Sequence, residues 1–367
     1  MISRFLICLC IVASLNFSDA RADAPLFSSH EMLELTIPLD FKTLCRPRET
    51  PDCDYAPTVL EYNDEQDQSH SIDIEIKIRG GWRSLTKNCS APLLFIRFNE
   101  QQTAGTPFEG QSMLPLTTHC GRGLSLESSR IKQSHVTWEQ YLLKEYLAHR
   151  LYNEITDVSL SARLVRITYP NPDKPNRSIV NYAFFTEHFK SVAKRNGDEL
   201  LARRSFDHEK LEARAADLVA LFQYMIGNTD WSIVRERNIV LLQDSGGSLL
   251  PLPFDFDMSG LVNAHYAGPA PGLSIDQVTE RQYLGFCHPD TDWDALFTFY
   301  LNRQEVLLSM AAEIPGLEKH SIKVAKRFLE RFFSTLQSRE LSNKKIVSQC
   351  QPWPPSAIDH TTPEEKR

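Results

Sequence analysis

The chain has 367 residues, 42% of them hydrophobic and 24% charged, and a formal net charge of -7. That is the composition of an ordinary folded protein, long enough for one large domain or two lobes with their own cores. The acidic balance and the lack of any basic stripe exclude nucleic acid as the main partner.

The first residues, MISRFLICLCIVASLNFSDARADAP, carry an early Arg4, an apolar run from Phe5 to Leu15 and a small-residue ARA ending at Ala22. This pattern predicts a signal peptide over residues 1–22 and an exported mature chain, periplasmic or secreted. A retained N-terminal anchor is the alternative. No later segment reads as apolar enough to span a membrane. Beyond the signal stand Cys45, Cys53, Cys89, Cys120, Cys287 and Cys350. An even count in an exported chain predicts disulfides. Cys45 and Cys53 flank a Pro-rich turn and form the expected local pair, and the remaining connectivity stays open. The irregular spacings, with no C-x-x-C, argue against zinc.

From Met32 to Phe98 the stretches LELTIPLDF, SIDIEIKIRGGW and PLLFIRF read as strands. In SIDIEIKI the isoleucines 72, 74, 76 and 78 share one face and Asp73, Glu75 and Lys77 the other, the pattern of a half-buried strand in a mostly antiparallel sheet. Residues 101–135 are loop-rich. TWEQYLLKEYLAHRLYNEI then predicts a helix with Trp138, Tyr141, Leu142, His149 and Tyr152 on one stripe and Glu145 in its middle. ARLVRITYP and SIVNYAFFTEHF read as a strand pair, and HEKLEARAADLVALFQYMI as a second helix closed by Gly227. Two further helices are expected near 291–312 and 318–339, and a disordered tail over 346–367. The expected fold class is α+β: an N-terminal β-rich lobe with one helix over 23–190 and a helical C-terminal lobe with a hairpin over 191–345.

The segment GNTDWSIVRERNIVLLQDSGGSLLPLPFDFDMSG, residues 227–260, carries the chemistry. NIVLLQ and SLLPLPF predict a hairpin around DSGG. With Gln243 opposite Ser248, Asn238 falls opposite Pro253, and Asp255 lies diagonal to Asn238 at about 7 Å. Asp257 shares that face if the strand stays regular, and Asp230 sits in the preceding loop. Such hard oxygens suit Mg²⁺ or Mn²⁺. The alternative is that Asn228 and Asp230 cap a turn while Asp255 and Asp257 end a strand. No G-x-S-x-G elbow and no H-E-x-x-H motif occurs.

A helix followed by Asn228-Thr229-Asp230-Trp231, Asn238 and Phe254-Asp255-Phe256-Asp257 resembles the catalytic core of atypical kinases. It is most similar to the spore-coat CotH kinase family and more distantly to HipA-type and lipid kinases. Arg79-Gly80-Gly81-Trp82 and the strand PLLFIRF loosely resemble that family's upstream region. The resemblance implies a two-lobed protein-kinase-like fold, with an N-terminal mostly antiparallel sheet lobe and a helix-rich C-terminal lobe. It also implies a monomer that transfers a phosphoryl (or nucleotidyl) group from ATP, or another nucleotide, to a protein or glycan hydroxyl. Asp230 would orient or deprotonate that hydroxyl, Asn238 and Asp255 would hold the metal, and Asp257 a second metal. The chain departs from protein kinases in having no G-x-G-x-x-G loop and no V-A-I-K lysine. Arg97 is then the expected phosphate-contacting cation, with Lys77 second to it and Glu145 as the ion-pair partner. A snorkelling strand residue is the plain alternative for Arg97. Two other classes stay open: a kinase-like binding or scaffold protein without transfer activity, and a hydrolase using Asp230 and Asp255 as acid and base.

Overall fold

The computed structural model describes residues 25–355 apart from 51, 65, 122–123 and 126–132. The signal peptide expected over 1–22 lies outside the described residues. The strands are β1 (Leu33–Thr36), β2 (Ala56–Asn63), β3 (Ser69–Ile78), β4 (Leu94–Phe98), β5 (Met113–Thr118), β6 (Leu124–Ser125), β7 (Ala162–Asn171) and β8 (Lys174–Thr186). They run in the order β5-β4-β3-β2-β1-β7-β8-β6, and β5 also pairs with β8. That extra pairing closes seven strands into a barrel. Every pairing is antiparallel except β1 with β7, which is parallel.

This overturns the expected two-lobed kinase-like fold: in place of its mostly antiparallel sheet lobe stands a closed, mixed barrel. The alternation in β3 was legible, but an open half-buried sheet and a barrel wall bury the same alternate residues. Ile74, Ile76 and Ile78 point into the barrel, where they meet Leu94, Ile96 and Phe185. Closure depends on β5–β8 hydrogen bonds between distant segments, which local periodicity does not encode.

The helices are α1 (Gln133–Asn153), α2 (Phe189–Asn196), α3 (Ala213–Ile226), α4 (Trp293–Leu301), α5 (Gln304–Glu313), α6 (Lys319–Gln337) and α7 (Arg339–Lys345). The single helix expected near 291–312 is thus two, broken at Asn302–Arg303. α1 lies in sequence among the barrel strands but packs with the C-terminal helices: Leu143, Leu147 and Leu151 share one core with Phe222, Met225 and Phe332. Leu164 of β7 and Phe184 of β8 join that core, while Val165 and Phe185 face the barrel interior. Strands buried on both faces read as the near-continuous apolar runs seen in ARLVRI and NYAFF.

A three-stranded sheet of β9 (Glu199–Leu200), β10 (Ile239–Gln243) and β11 (Leu249–Pro253) carries the hairpin. Disulfides join Cys45 to Cys53, Cys89 to Cys120 and Cys287 to Cys350. The last of these holds the segment where a disordered tail was expected. Ile346 is buried, and Trp353 packs against Phe286 and His288. The rest of that expected tail, 356–367, lies outside the described residues. Among the described residues no helix is long and apolar enough to cross a membrane.

Candidate functional site

The site begins at the end of α3. Gly227 takes φ 64 and caps the helix, with its N–H directed at the Gln223 and Tyr224 carbonyls. Asn228 then accepts from the Asp230 amide at 3.0 Å, and its carbonyl accepts from Trp231 Nε1 at 3.2 Å. Asn228 is therefore a turn-builder, as the plainer sequence reading had it, and the turn it builds presents Asp230. Ser232 and Arg237 bond each other's backbone across a tight excursion with Glu236 at φ 47. The buried Glu236 carboxylate accepts from the amides of Arg204, Ser205 and Phe206 and fixes that excursion. The seven residues between Asp230 and Asn238 are thereby folded away. Asn238 Nδ2 returns to donate to the Asp230 carbonyl at 2.7 Å and to its Oδ2 at 3.2 Å. Arg237 reaches Asp230 Oδ1 at 3.3 Å.

The hairpin differs from expectation by one residue. Gln243 lies opposite Leu249 and Ile239 opposite Pro253. The cause is Asp244, whose Oδ1 accepts from both Gly246 N and Ser248 N, widening the turn to residues 244–248. Such a slip would ordinarily move a side chain to the other face. Here it does not scatter the site, because Asn238 and Asp255 both leave the ladder in left-handed backbone, at φ 50 and φ 60. Non-glycine residues are rarely held there, and such strain gathers at functional positions.

Across from the hairpin base stands Arg83, in the short helical turn Trp82–Ser84 that follows β3. Its Nη2 bonds Asp255 Oδ1 at 3.0 Å and Asp257 Oδ2 at 2.8 Å, and its Nη1 lies 3.9 Å from Glu145 Oε2. Burial opposes the Arg83 charge, yet Asp257, Glu145 and Asp255 outweigh it and hold the guanidinium well above its ordinary pKa. Burial pushes Glu145 up to about 8, against the pull of Arg83. It raises Asp257 to about 6, again against Arg83, while a hydrogen bond from the Tyr266 hydroxyl at 3.0 Å also favours the charged form. His149, one helical turn beyond Glu145, is lowered to about 4 by burial and stays neutral. Lys144 is lowered to about 8 by burial and donates to the Val262 carbonyl. Arg79 adds a second guanidinium, buried enough to lower its pKa, with Asp255 acting in the opposite direction.

An aromatic wall borders these charges. Tyr266 stacks on Trp138 at 5.6 Å between ring centres and meets Trp82 at 5.7 Å. His265 sits against Trp138 and Tyr141. Trp82 is 41% exposed, so the wall opens to solvent.

The structure thus brings together Asp230, Asn238, Asp255, Asp257 and Glu145. It does not bring in Arg97 or Lys77. Arg97 pairs with Glu75 on the outer barrel face, about half exposed, and lies over Tyr55 at 4.2 Å. Lys77 stands over the same ring. The expected cation and its partner are corrected accordingly: Arg83, and not Arg97, faces Glu145. Both residues of β3 and β4 point outward by alternation, whereas Arg83 follows a glycine at φ 94 that turns the chain toward α1. The signal that could have found it is the sequence R-G-G-W-R, two cations around a glycine pair directly after a strand.

Among the described residues no group of three or more His, Cys, Asp or Glu side chains is arranged to hold a metal ion. The carboxylates that meet at one point are Asp255 and Asp257, both on Arg83 Nη2, while the Asn238 amide nitrogen is committed to Asp230. Two carboxylates and a neutral oxygen fit Mg²⁺ when phosphate oxygens complete the shell. Compared with known families, curated proteins and solved structures, the chain matches none.

Proposed function

We propose that this chain is an exported phosphotransferase, moving a phosphoryl (or nucleotidyl) group from a metal-bound nucleotide, ATP in the simplest case, to a protein or glycan hydroxyl. One observation carries the reading. Asp230 with Asn238, and Asp255 with Asp257, converge at the base of one hairpin beneath two arginines, with Asn238 and Asp255 held in left-handed backbone. The resemblance to the CotH kinase family supports it through these residues alone, since the barrel is not that of a two-lobed kinase. Three disulfides suit an oxidising compartment.

In this reading Asp230 takes the proton of the acceptor hydroxyl, with its carboxylate oriented by Asn238 and Arg237. The acceptor oxygen then bonds to the γ-phosphorus as the bond to the bridging oxygen breaks and the nucleoside diphosphate leaves. Asp255, Asp257 and the Asn238 oxygen would hold Mg²⁺ or Mn²⁺, which supplies charge neutralisation on the phosphates. Arg79 and Arg83 give positive charge beside the place where the transferred group accumulates negative charge, the main source of rate in such reactions.

The test is thermal unfolding of the purified protein with Mg²⁺ or Mn²⁺, with ATP, and with both, beside Asp255→Ala. Stabilisation is expected only with metal and nucleotide together, by several degrees at saturating ligand, and only in the unmutated protein. A single observation favours a second reading, a binding or scaffold protein without transfer chemistry: Arg83 Nη2 already satisfies both Asp255 and Asp257. Absence of any shift under every pairing would move the chain to that class.

A further inference from the structure

We infer that Arg83 is a latch that holds the place of a divalent cation, so that guanidinium and metal compete for the same pair of carboxylates. The inference rests on the phosphotransferase reading for its purpose, but its geometry stands by itself. One nitrogen, Nη2, bonds Asp255 at 3.0 Å and Asp257 at 2.8 Å, and therefore sits between the two groups that would hold the ion. Two carboxylates that share one site need a positive charge between them. Arg83 supplies it, and both cannot occupy that point at once.

The surroundings give the displaced side chain somewhere to go. Glu145, 3.9 Å from the other terminal nitrogen, is close enough to keep hold of the guanidinium as it leaves the aspartates. The turn bearing Arg83 is short, follows Gly81 in left-handed backbone, and carries the 41% exposed Trp82 at its head. The side chain is largely buried and is held at its tip by three carboxylates. A planar guanidinium can turn from carboxylate to phosphate without changing its hydrogen-bonding character. The consequence is an order of events. Metal alone binds weakly, because it must evict Arg83 for no return. Metal arriving with nucleotide binds well, because the phosphates offer Arg83 a new partner. The same residue that blocks the empty site then becomes the phosphate contact for which Arg97 was the expected candidate.

Other groups face this cluster. Arg79 acts on Asp255 from the barrel side, Asp230 acts on Asp257 from the loop, and Tyr266 donates to Asp257. None of them bridges the two carboxylates.

The experiment measures Mn²⁺ binding by electron paramagnetic resonance, without any nucleotide, on the whole protein and on Arg83→Gln. Removal of the latch is expected to tighten Mn²⁺ binding at least tenfold, and Asp255→Asn added to Arg83→Gln should abolish the gain. In Arg83→Gly, millimolar guanidinium ion should weaken Mn²⁺ binding again, by refilling the position. Equal Mn²⁺ affinity in the unmutated protein and Arg83→Gln, with both folded by circular dichroism, overturns the proposal. If those variants do not fold, Arg83→Lys keeps a charge there for stability but offers a single ammonium in place of the fork. It should show a smaller gain in Mn²⁺ affinity, and no gain overturns the proposal equally. The two readings fail separately. Tight Mn²⁺ binding to Arg83→Gln with no response to ATP keeps the latch and removes the phosphotransferase. A site that takes metal with nucleotide but ignores Arg83 does the reverse.

Discussion

At the scale of single residues, the site is defined by charges that burial and neighbours pull in opposite directions. Glu145 has an ordinary value of 4.5 and is raised in the fold to about 8. The folded chain therefore keeps a proton that the unfolded chain has released. The stability this contributes is present at acid pH and is lost as pH rises through that interval. Asp257 acts in the same sense but only up to about 6. Between pH 6 and 8, Glu145→Gln is thus expected to flatten the fall in stability, by at most about 1.4 kcal/mol per pH unit for one proton. Melting temperatures at pH 6, 7 and 8 for the two proteins check this, and parallel curves would remove Glu145 from the account. How much of the site was legible follows the same divide. Asp230, Asn238, Asp255 and Asp257 were visible because acceptor side chains cluster around one hairpin. Glu145 was visible because a carboxylate interrupts an apolar stripe. Arg83 was not, since an arginine in a loop has no periodicity, and its partners lie far along the chain.

At the scale of elements, position is set by how the hairpin's exit is tied to α3. Gly260 N donates to the Gly227 carbonyl and Leu261 N to that of Ile226, so the segment that follows β11 and carries Asp255 and Asp257 is pinned to the end of the helix that leads into Asp230. A methyl group at Gly260 would lie 2.4 Å from the Val278 carbonyl oxygen and 2.9 Å from the Phe328 ring. Backbone cannot yield as a side-chain tip can. Gly260→Ala is expected to cost about 1–3 kcal/mol and to loosen the hairpin, read in urea unfolding. Gly80→Ala, where nothing lies within 4 Å, is the matched control and should stay within about 0.5 kcal/mol of the unmutated protein. The elements themselves were largely legible: β3, α1, α3 and the hairpin all follow from period and caps. The hairpin register was not, because it turned on Asp244 folding back onto its own loop and on two left-handed residues that a regular strand does not foresee.

At the scale of the whole molecule, the long-range ties decide the architecture, and they left the least trace in sequence. Barrel closure by β5 and β8 and the docking of α1 with the C-terminal helices join distant segments, so alternation and amphipathic stripes fit an open sheet lobe equally well. The disulfide framework shows the same scale. Cys287–Cys350 closes a separation of 63 residues and Cys45–Cys53 one of only 8. Cys287→Ser with Cys350→Ser is expected to lower stability by about 2–4 kcal/mol, and loss of the shorter bridge by less, measured by denaturant midpoint under non-reducing conditions. The parallel partnership of β1 with β7 has a further consequence, for the order in which the protein is made. A chain emerging from its amino end completes β1 to β5 as neighbours, but the two flanks of that ribbon wait. β1 lacks β7, and β5 lacks β8, until Thr186 is out and α1 has already been synthesised. During that interval the nascent ribbon carries two bare strand edges, the condition in which β-rich chains pair with the wrong partner. Cys45–Cys53 and Cys89–Cys120 both fall within the waiting portion, and Cys287–Cys350 does not. Two of the three bridges are therefore available to hold the half-made barrel in register while its last two staves are still to come.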